Sequence, residues 1–165
     1  CGKTYAALMG PLSKLNDCRK ESGLNILLIT PLKALSRDLK NAINKATKYF
    51  DEKITVGIRN GDTSPYEKRK QILYPPNILI TTPESLSLLL SNKESKIIFR
   101  NLFSIIIDEW HELMGSKRGN QCELCLSWLR GNKKDLQIWA MSATIGNITE
   151  AARAVSYTHL RAHET

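Results

Sequence analysis

The amino-acid sequence predicts an α/β fold in which a parallel sheet carries helices on both faces. Three observations lead there. Five short apolar runs are rich in isoleucine, leucine or valine: "LNILLIT" (24–30), "KITVGI" (53–58), "NILITT" (77–82), "LFSIIID" (102–108) and "LQIWAMSAT" (136–144). Stretches with helical spacing of apolar residues lie between them, at 33–49, 64–73, 83–91 and 119–130. Continuous apolar strands are buried on both faces, and their alternation with helices builds βαβ units. The 165 residues are enough for one such domain with a real core, and too few for two comfortable ones.

Taken in order, residues 4–16 read as a helix, with Ala7, Leu8, Leu12 and Leu15 at helical spacing. "GKT" at 2–4 stands directly before it and matches the end of the phosphate-loop pattern G-x-x-x-x-G-K-[ST]. In such a loop backbone amides cradle phosphates at a helix N-terminus. Lys3 would reach the β- and γ-phosphates and Thr4 would ligate Mg²⁺, with Gly2 beside them. By itself so short a match is weak.

In open parallel sheets ligands gather beyond the carboxyl ends of the strands, so each strand end is read next. The first strand runs into "TPLKAL" (30–35), the second into Arg59 and "GDTS" (61–64), and the third into "TTPESL" (81–86). Threonine before proline is also a common helix start, with Thr as cap and Pro in the first turn. The fourth strand ends in "IIIDEWHELMGSKRG" (105–119). There Asp108 would emerge to hold Mg²⁺, and Glu109 would orient or deprotonate an attacking water. Adjacent carboxylates repel one another unless a cation lies between them and phosphates. A helix N-cap would account for one carboxylate after a strand, but not for its pairing with an upstream GKT. The fifth strand ends in "MSATIGN" (141–147), where Ser142, Ala143 and Thr144 could bond to the acidic segment.

Composition narrows the partners. The net charge of +8 asks for an anionic partner, nucleic acid first, or else reflects a lysine-rich solvated surface; charge alone does not decide. No run of eighteen apolar residues is present, so no membrane partner is expected. No basic-then-apolar leader opens the chain, and its 4 cysteines are too scattered for a disulfide scaffold. Both points lead us to expect a reduced, cytoplasmic setting.

Several tempting patterns have plainer readings. "HEL" in "DEWHELMG" lacks the second histidine of a zinc site, because position 115 is Gly. Cys122 and Cys125, with His159 and His163, imitate a zinc-finger set at far too long a separation, and the cysteines read as core. Trp128 and Trp139 lie in periodic apolar stretches, where burial is expected over base stacking. Trp110 could brace the acidic loop or stack on a base. "SKRG" (116–119) reads as a basic surface loop.

GKT, DEWH and SAT in this order, each at an expected strand end, are a specific combination. The chain resembles the first RecA-like domain of superfamily 2 DExH helicases. "TPLKAL", "GDTS" and "TTPESL" fall where that family has its nucleic-acid motifs. "DEWHELMGSKRG", "CELCLSWLR" and "WAMSATIGN" are especially similar to the ligase-associated branch of the large helicase-related family. The resemblance runs from residue 2 to about 154. It implies a RecA-like P-loop NTPase domain over 1–155, lacking its first strand, that binds ATP and Mg²⁺. It also implies ATP-driven movement on single-stranded or partly duplex DNA, with RNA left open, and a role in DNA repair.

By the same resemblance, Glu109, Lys3 and Asp108 are catalytic, and Gly2, Lys3 and Thr4 bind ATP. Thr4 and Asp108 hold the metal, Asp108 directly or through water. His111, as the last letter of DExH, would couple the nucleotide to Ser142, Ala143 and Thr144. Pro31, Leu32 and Lys33, then Gly61, Asp62 and Thr63, then Thr82 and Pro83, would line the nucleic-acid path, with Arg59 adding charge. A second RecA-like domain, and a DNA ligase or nuclease, are the implied protein partners. Both ends look cut, and 156–165 resembles a translated sequencing adapter, so this stretch is expected to be a non-native tail. The chain alone is expected to be nearly inactive. The competing class is a non-catalytic, nucleic-acid-binding remnant of a P-loop domain.

Overall fold

The computed structural model describes residues 2–17, 23–49, 53–133 and 135–142. They form one parallel five-stranded sheet flanked by helices. The strands are β1 (Ile26–Ile29), β2 (Val56–Arg59), β3 (Ile78–Thr81), β4 (Ser104–Ile107) and β5 (Gln137–Ala140). Their order across the sheet is β2-β3-β1-β4-β5, and every pairing is parallel. β1 is central, with Leu28 level with Ile80 on one side and Ile106 on the other.

β1, β3 and β4 are buried at every position, as strands wet on neither face must be. Alternate residues then serve two cores. Leu27 and Ile29 pack with Leu86, Trp110, Leu113, Leu126 and Leu129. Ile26 and Leu28 pack with Leu8, Leu12, Leu15 and Ile43. The first core lies beneath α4 (Pro83–Leu90), α6 (Trp110–Leu113) and α7 (Lys117–Asn132), with α5 (Ser95–Ile98) at its margin. The second lies beneath α1 (Gly2–Asp17) and α2 (Leu35–Thr47). α3 (Pro65–Leu73) buries no residue.

The expected class therefore holds: a parallel sheet with helices on both faces. The elements expected from sequence recur with shifted ends, and the short helices α5 and α6 are additions. GKT lies in the first turn of α1 instead of before it. α1 also continues through Pro11, which breaks one backbone bond. Leu8 and Leu12 on either side are almost fully buried, so packing holds the helix together across that break.

Two expectations about the interior divide. Cys122 and Cys125 are buried on α7 as thiols; burial pushes Cys122 up to about 12 and Cys125 up to about 11. Trp128 packs part-buried against the first core. Trp139 does not follow the expectation: it is 49% exposed. It lies on β5, which among the described residues pairs with β4 alone, at the end of the sheet. Apolar periodicity reports a strand but not its place in the sheet.

Candidate functional site

Because all five strands run the same way, their carboxyl ends share one edge. Strand order then fixes the sequence of loops along it. The loop of Gly61, Asp62 and Thr63 comes first, then Thr82 and Pro83, then Pro31, Leu32 and Lys33. Beyond β1 come Asp108, Glu109 and His111, and last Ser142. The polar loops thus occupy one half of the edge and the acidic segment the other. Gly2, Lys3 and Thr4 open α1, while Ala143 and Thr144 lie outside the described residues.

The acidic half begins where β4 stops. The Asp108 amide still donates to the Ile29 carbonyl at 2.8 Å, so Asp108 is held in line with the central strand. Its Oδ1 accepts from the Glu109 amide at 3.1 Å. Glu109 then turns the chain with φ 48° and ψ 48°. Among the described residues it is the sole non-glycine with positive φ, a conformation that sets Cβ against the carbonyl. It occupies the N-cap position of α6, yet its side chain makes no cap hydrogen bond. Its Oε2 lies 3.3 Å from His111 Nδ1 instead.

The same His111 Nδ1 lies 3.0 Å from Ser142 Oγ, and Nε2 lies 3.5 Å from Glu112. One ring nitrogen therefore has two partners in reach. When protonated it can donate to the Glu109 carboxylate or to Ser142. When bare it can only accept, and then Ser142 is its donor. Backbone bonds fix this meeting. The Met141 amide donates to Ile107 and the Trp110 amide to Met141, both at 2.8 Å, extending the β4–β5 ladder past the strand ends. Trp110 is 1% exposed and anchors α6 in the first core, which excludes it as a stacking surface in this conformation. Its Nε1 has no partner among the described residues.

The polar half is built differently. Thr82 caps α4 by accepting from the Ser85 amide, and Pro83 occupies the first turn; both are buried. Ser64 caps α3 in the same way. The Thr63 hydroxyl donates to the Ile58 carbonyl at 3.2 Å and accepts from the Asn60 amide at 3.0 Å. Lys33 Nζ reaches across to Asp62 at 3.1 Å, and both side chains are largely in solvent. Leu32 is exposed beside them, while Pro31 is buried. Arg59 departs from the expectation that it adds surface charge. It is 8% exposed, with its guanidinium donating to the Lys68 carbonyl and to Gln71 of α3. Burial also lowers its pKa from the ordinary arginine value.

Sequence reading missed the part played by "SKRG". Ser116 caps α7 by accepting from the Gly119 amide at 3.1 Å and donates to the Leu113 carbonyl at 2.7 Å. A Cβ on Gly119 would lie 1.9 Å from that same carbonyl oxygen, so the approach of α7 to α6 requires glycine. Arg118 donates through Nε to Glu84 of α4, and through Nη2 to the Pro31 carbonyl at 2.6 Å. Burial alone would raise the Glu84 carboxyl. The Arg118 hydrogen bond, its own helix-terminal amide, Thr82 and the Arg118 charge together bring it below the ordinary value. The capping pattern of serine three residues before glycine was the available signal.

Asp108 and Glu109 offer part-buried carboxylate oxygens. Such donors suit Mg²⁺, which proteins commonly hold with one or two carboxylates plus phosphate oxygens. Among the described residues no three His, Cys, Asp or Glu side chains gather into a metal-binding group.

Comparison with known proteins places this geometry in context. Residues 1–151 match the family model described as DEAD/DEAH box helicase. The chain is 38% identical over 166 residues to the ATP-dependent helicase Lhr-Core of Sulfolobus acidocaldarius, covering 92% of this chain and 19% of that protein. It is 35% identical over 170 residues to the Lhr helicase/uracil glycosylase of Escherichia coli, covering 92% and 11%. Among solved structures, that of Mycobacterium smegmatis helicase Lhr bound to ssDNA and AMP-PNP superposes with a TM-score of 0.81 at 34% identity, covering 92% and 21%. The chain spans about a fifth or less of these relatives' lengths.

Proposed function

The chain belongs to the DEAD/DEAH box helicase family, and we propose that it is the ATP-binding motor domain of an ATP-dependent helicase or translocase of the large helicase-related group. In the complete protein, ATP hydrolysis would drive movement along single-stranded or partly duplex DNA. Membership of the ligase-associated branch, a DNA-repair role, a ligase or nuclease partner and a cytoplasmic setting belong to the same proposal. They rest on the likeness of "DEWHELMGSKRG" and on composition.

The observation that carries the reading is Glu109. Its backbone is strained, it caps nothing, and its carboxylate points to a histidine that also reaches Ser142. A strained conformation kept at a strand end is a reason to look for function there. A pure nucleic-acid binder would gain nothing from it.

Thr4 and Asp108 would hold Mg²⁺, which neutralises phosphate charge when bound. Lys3 would balance the charge that develops on the γ-phosphate oxygens, and Gly2 would bring the backbone amides of α1 close. Glu109 would align the attacking water in line with the leaving group. His111 would report the state of Glu109 to Ser142, with Ala143 and Thr144 continuing the relay. Lys33, Leu32 and the Gly61–Thr63 loop would meet the nucleic-acid backbone, which positions a strand without reading its bases. Thr82 and Pro83 would act through the start of α4, whose cap they form, and Pro31 through the backbone it shares with Lys33.

The test is ATP hydrolysis by the complete protein in Mg²⁺, with and without single-stranded DNA and, separately, RNA. The reading expects turnover stimulated by a strand of nucleic acid. Strand binding with no turnover in any condition would establish the non-catalytic remnant instead.

A further inference from the structure

Resting on the motor reading above, we propose that Arg118 is a positioning residue that couples the acidic half of the edge to the polar half. The acidic segment and the nucleic-acid loops lie on different strands, and a motor needs a physical link between them. The structure supplies one that runs through "SKRG".

The link begins at His111 on α6, a single helical turn whose last residue is Leu113. The Leu113 carbonyl accepts from both the amide and the hydroxyl of Ser116, at 3.1 Å and 2.7 Å. Gly119 presses its Cα side against the same carbonyl. A shift of α6 is therefore passed to the first turn of α7 with little slack. Arg118 projects from that turn to two elements of the polar half.

Each contact falls beside a proposed nucleic-acid residue. The Pro31 carbonyl immediately precedes Leu32 and Lys33. Glu84 follows Thr82 and Pro83 in the first turn of α4, and its two carboxylate oxygens both accept from the guanidinium. A planar fork can hold a carboxylate and a carbonyl at once, which a lysine ammonium does far less well. One guanidinium thus fixes the spacing of the β1 and β3 loops to the acidic segment.

This differs from a contact that only stabilises. Arg118 and Glu84 are 40% and 46% exposed at the side chain, and pairs so open to water contribute little to stability. The expected loss is in communication between the sites.

The test compares the complete protein with its Arg118→Ala, Arg118→Lys and Glu84→Arg/Arg118→Glu forms. Basal ATP turnover, KM for ATP, maximal stimulation by single-stranded DNA and Tm are measured for each. We expect Arg118→Ala to lower maximal stimulation by about tenfold, within the ordinary range of inter-site coupling, with basal turnover, KM and Tm unchanged. Arg118→Lys should recover part of the stimulation, and the charge exchange should recover part by restoring the pair with Glu84. Stimulation in Arg118→Ala equal to wild type would overturn the proposal. So would parallel falls in basal turnover, stimulation and Tm, which mark a structural role. A wild-type protein without stimulated turnover defeats the motor reading itself, and this inference with it.

Discussion

Two helix starts on the same edge use the N-cap position in opposite ways. At β3, Thr82 has ordinary extended backbone angles, and its hydroxyl is spent on the first turn of α4. At β4, Glu109 takes a left-handed conformation, leaves α6 uncapped by its side chain, and turns its carboxylate to His111. The polar half of the edge is relaxed, and the hydroxyls of Thr82, Ser64 and Thr63 serve the loops that carry them. In the acidic half Glu109 turns from its helix to His111, which also reaches Ser142 beyond β5. Strain at one N-cap and economy at the other set the segment proposed to act in hydrolysis apart from the one that supports its own loop.

The largest effect on stability is expected where the two halves join. Gly119→Ala would drive a methyl into the Leu113 carbonyl, and neither backbone can yield without moving α6 or α7. Urea denaturation of this chain should show a loss of about 3 kcal/mol, the upper range for overpacking. A loss of a few tenths would mean that α7 does not rest on α6 as described.

The comparison itself is tested by a pair of variants. Thr82→Ala removes a used cap and should cost about 1 kcal/mol. Glu109→Gly removes no cap and relieves left-handed strain, so it should stabilise by about 1 kcal/mol. The same denaturation series gives both values. Equal destabilisation by the two changes would erase the distinction between the halves.

The smallest effect concerns Lys33. Its charge faces Asp62 in solvent, so it can add only part of one phosphate contact. Lys33→Ala should weaken binding of single-stranded DNA alike for all sequences, and should reduce the salt slope by about 1 or less. Fluorescence anisotropy of the complete protein across a salt series reads this directly. A sequence-dependent loss would mean that Lys33 reads bases.

What could be read in advance follows the range of the physics. Strands, helices and the buried cysteines are local patterns of apolar spacing, and they stand out in a linear text. So did the edge residues, because an apolar run that stops in Asp108 and Glu109 is legible without coordinates. Strand order was not legible, and the misplacement of Trp139 and Arg59 follows from that. One lies on the last strand of the sheet among the described residues, and the other is folded under α3 at the opposite side. Arg118 was hidden for the same reason. Glu84 and Pro31 become its neighbours only once β1 sits between β3 and β4. The left-handed turn at Glu109 has no sequence signal either, since glycine is the residue that ordinarily announces one.

The most direct measurement is ATP turnover by Glu109→Gln in the complete protein, at saturating single-stranded DNA and Mg²⁺, alongside its affinity for a fluorescent ATP analogue. The amide keeps the shape of the carboxylate and removes its charge. If Glu109 aligns the attacking water, turnover should fall by at least about a hundredfold while affinity stays near that of wild type. Turnover close to wild type would contradict the assignment, and the strain at Glu109 would then need another cause.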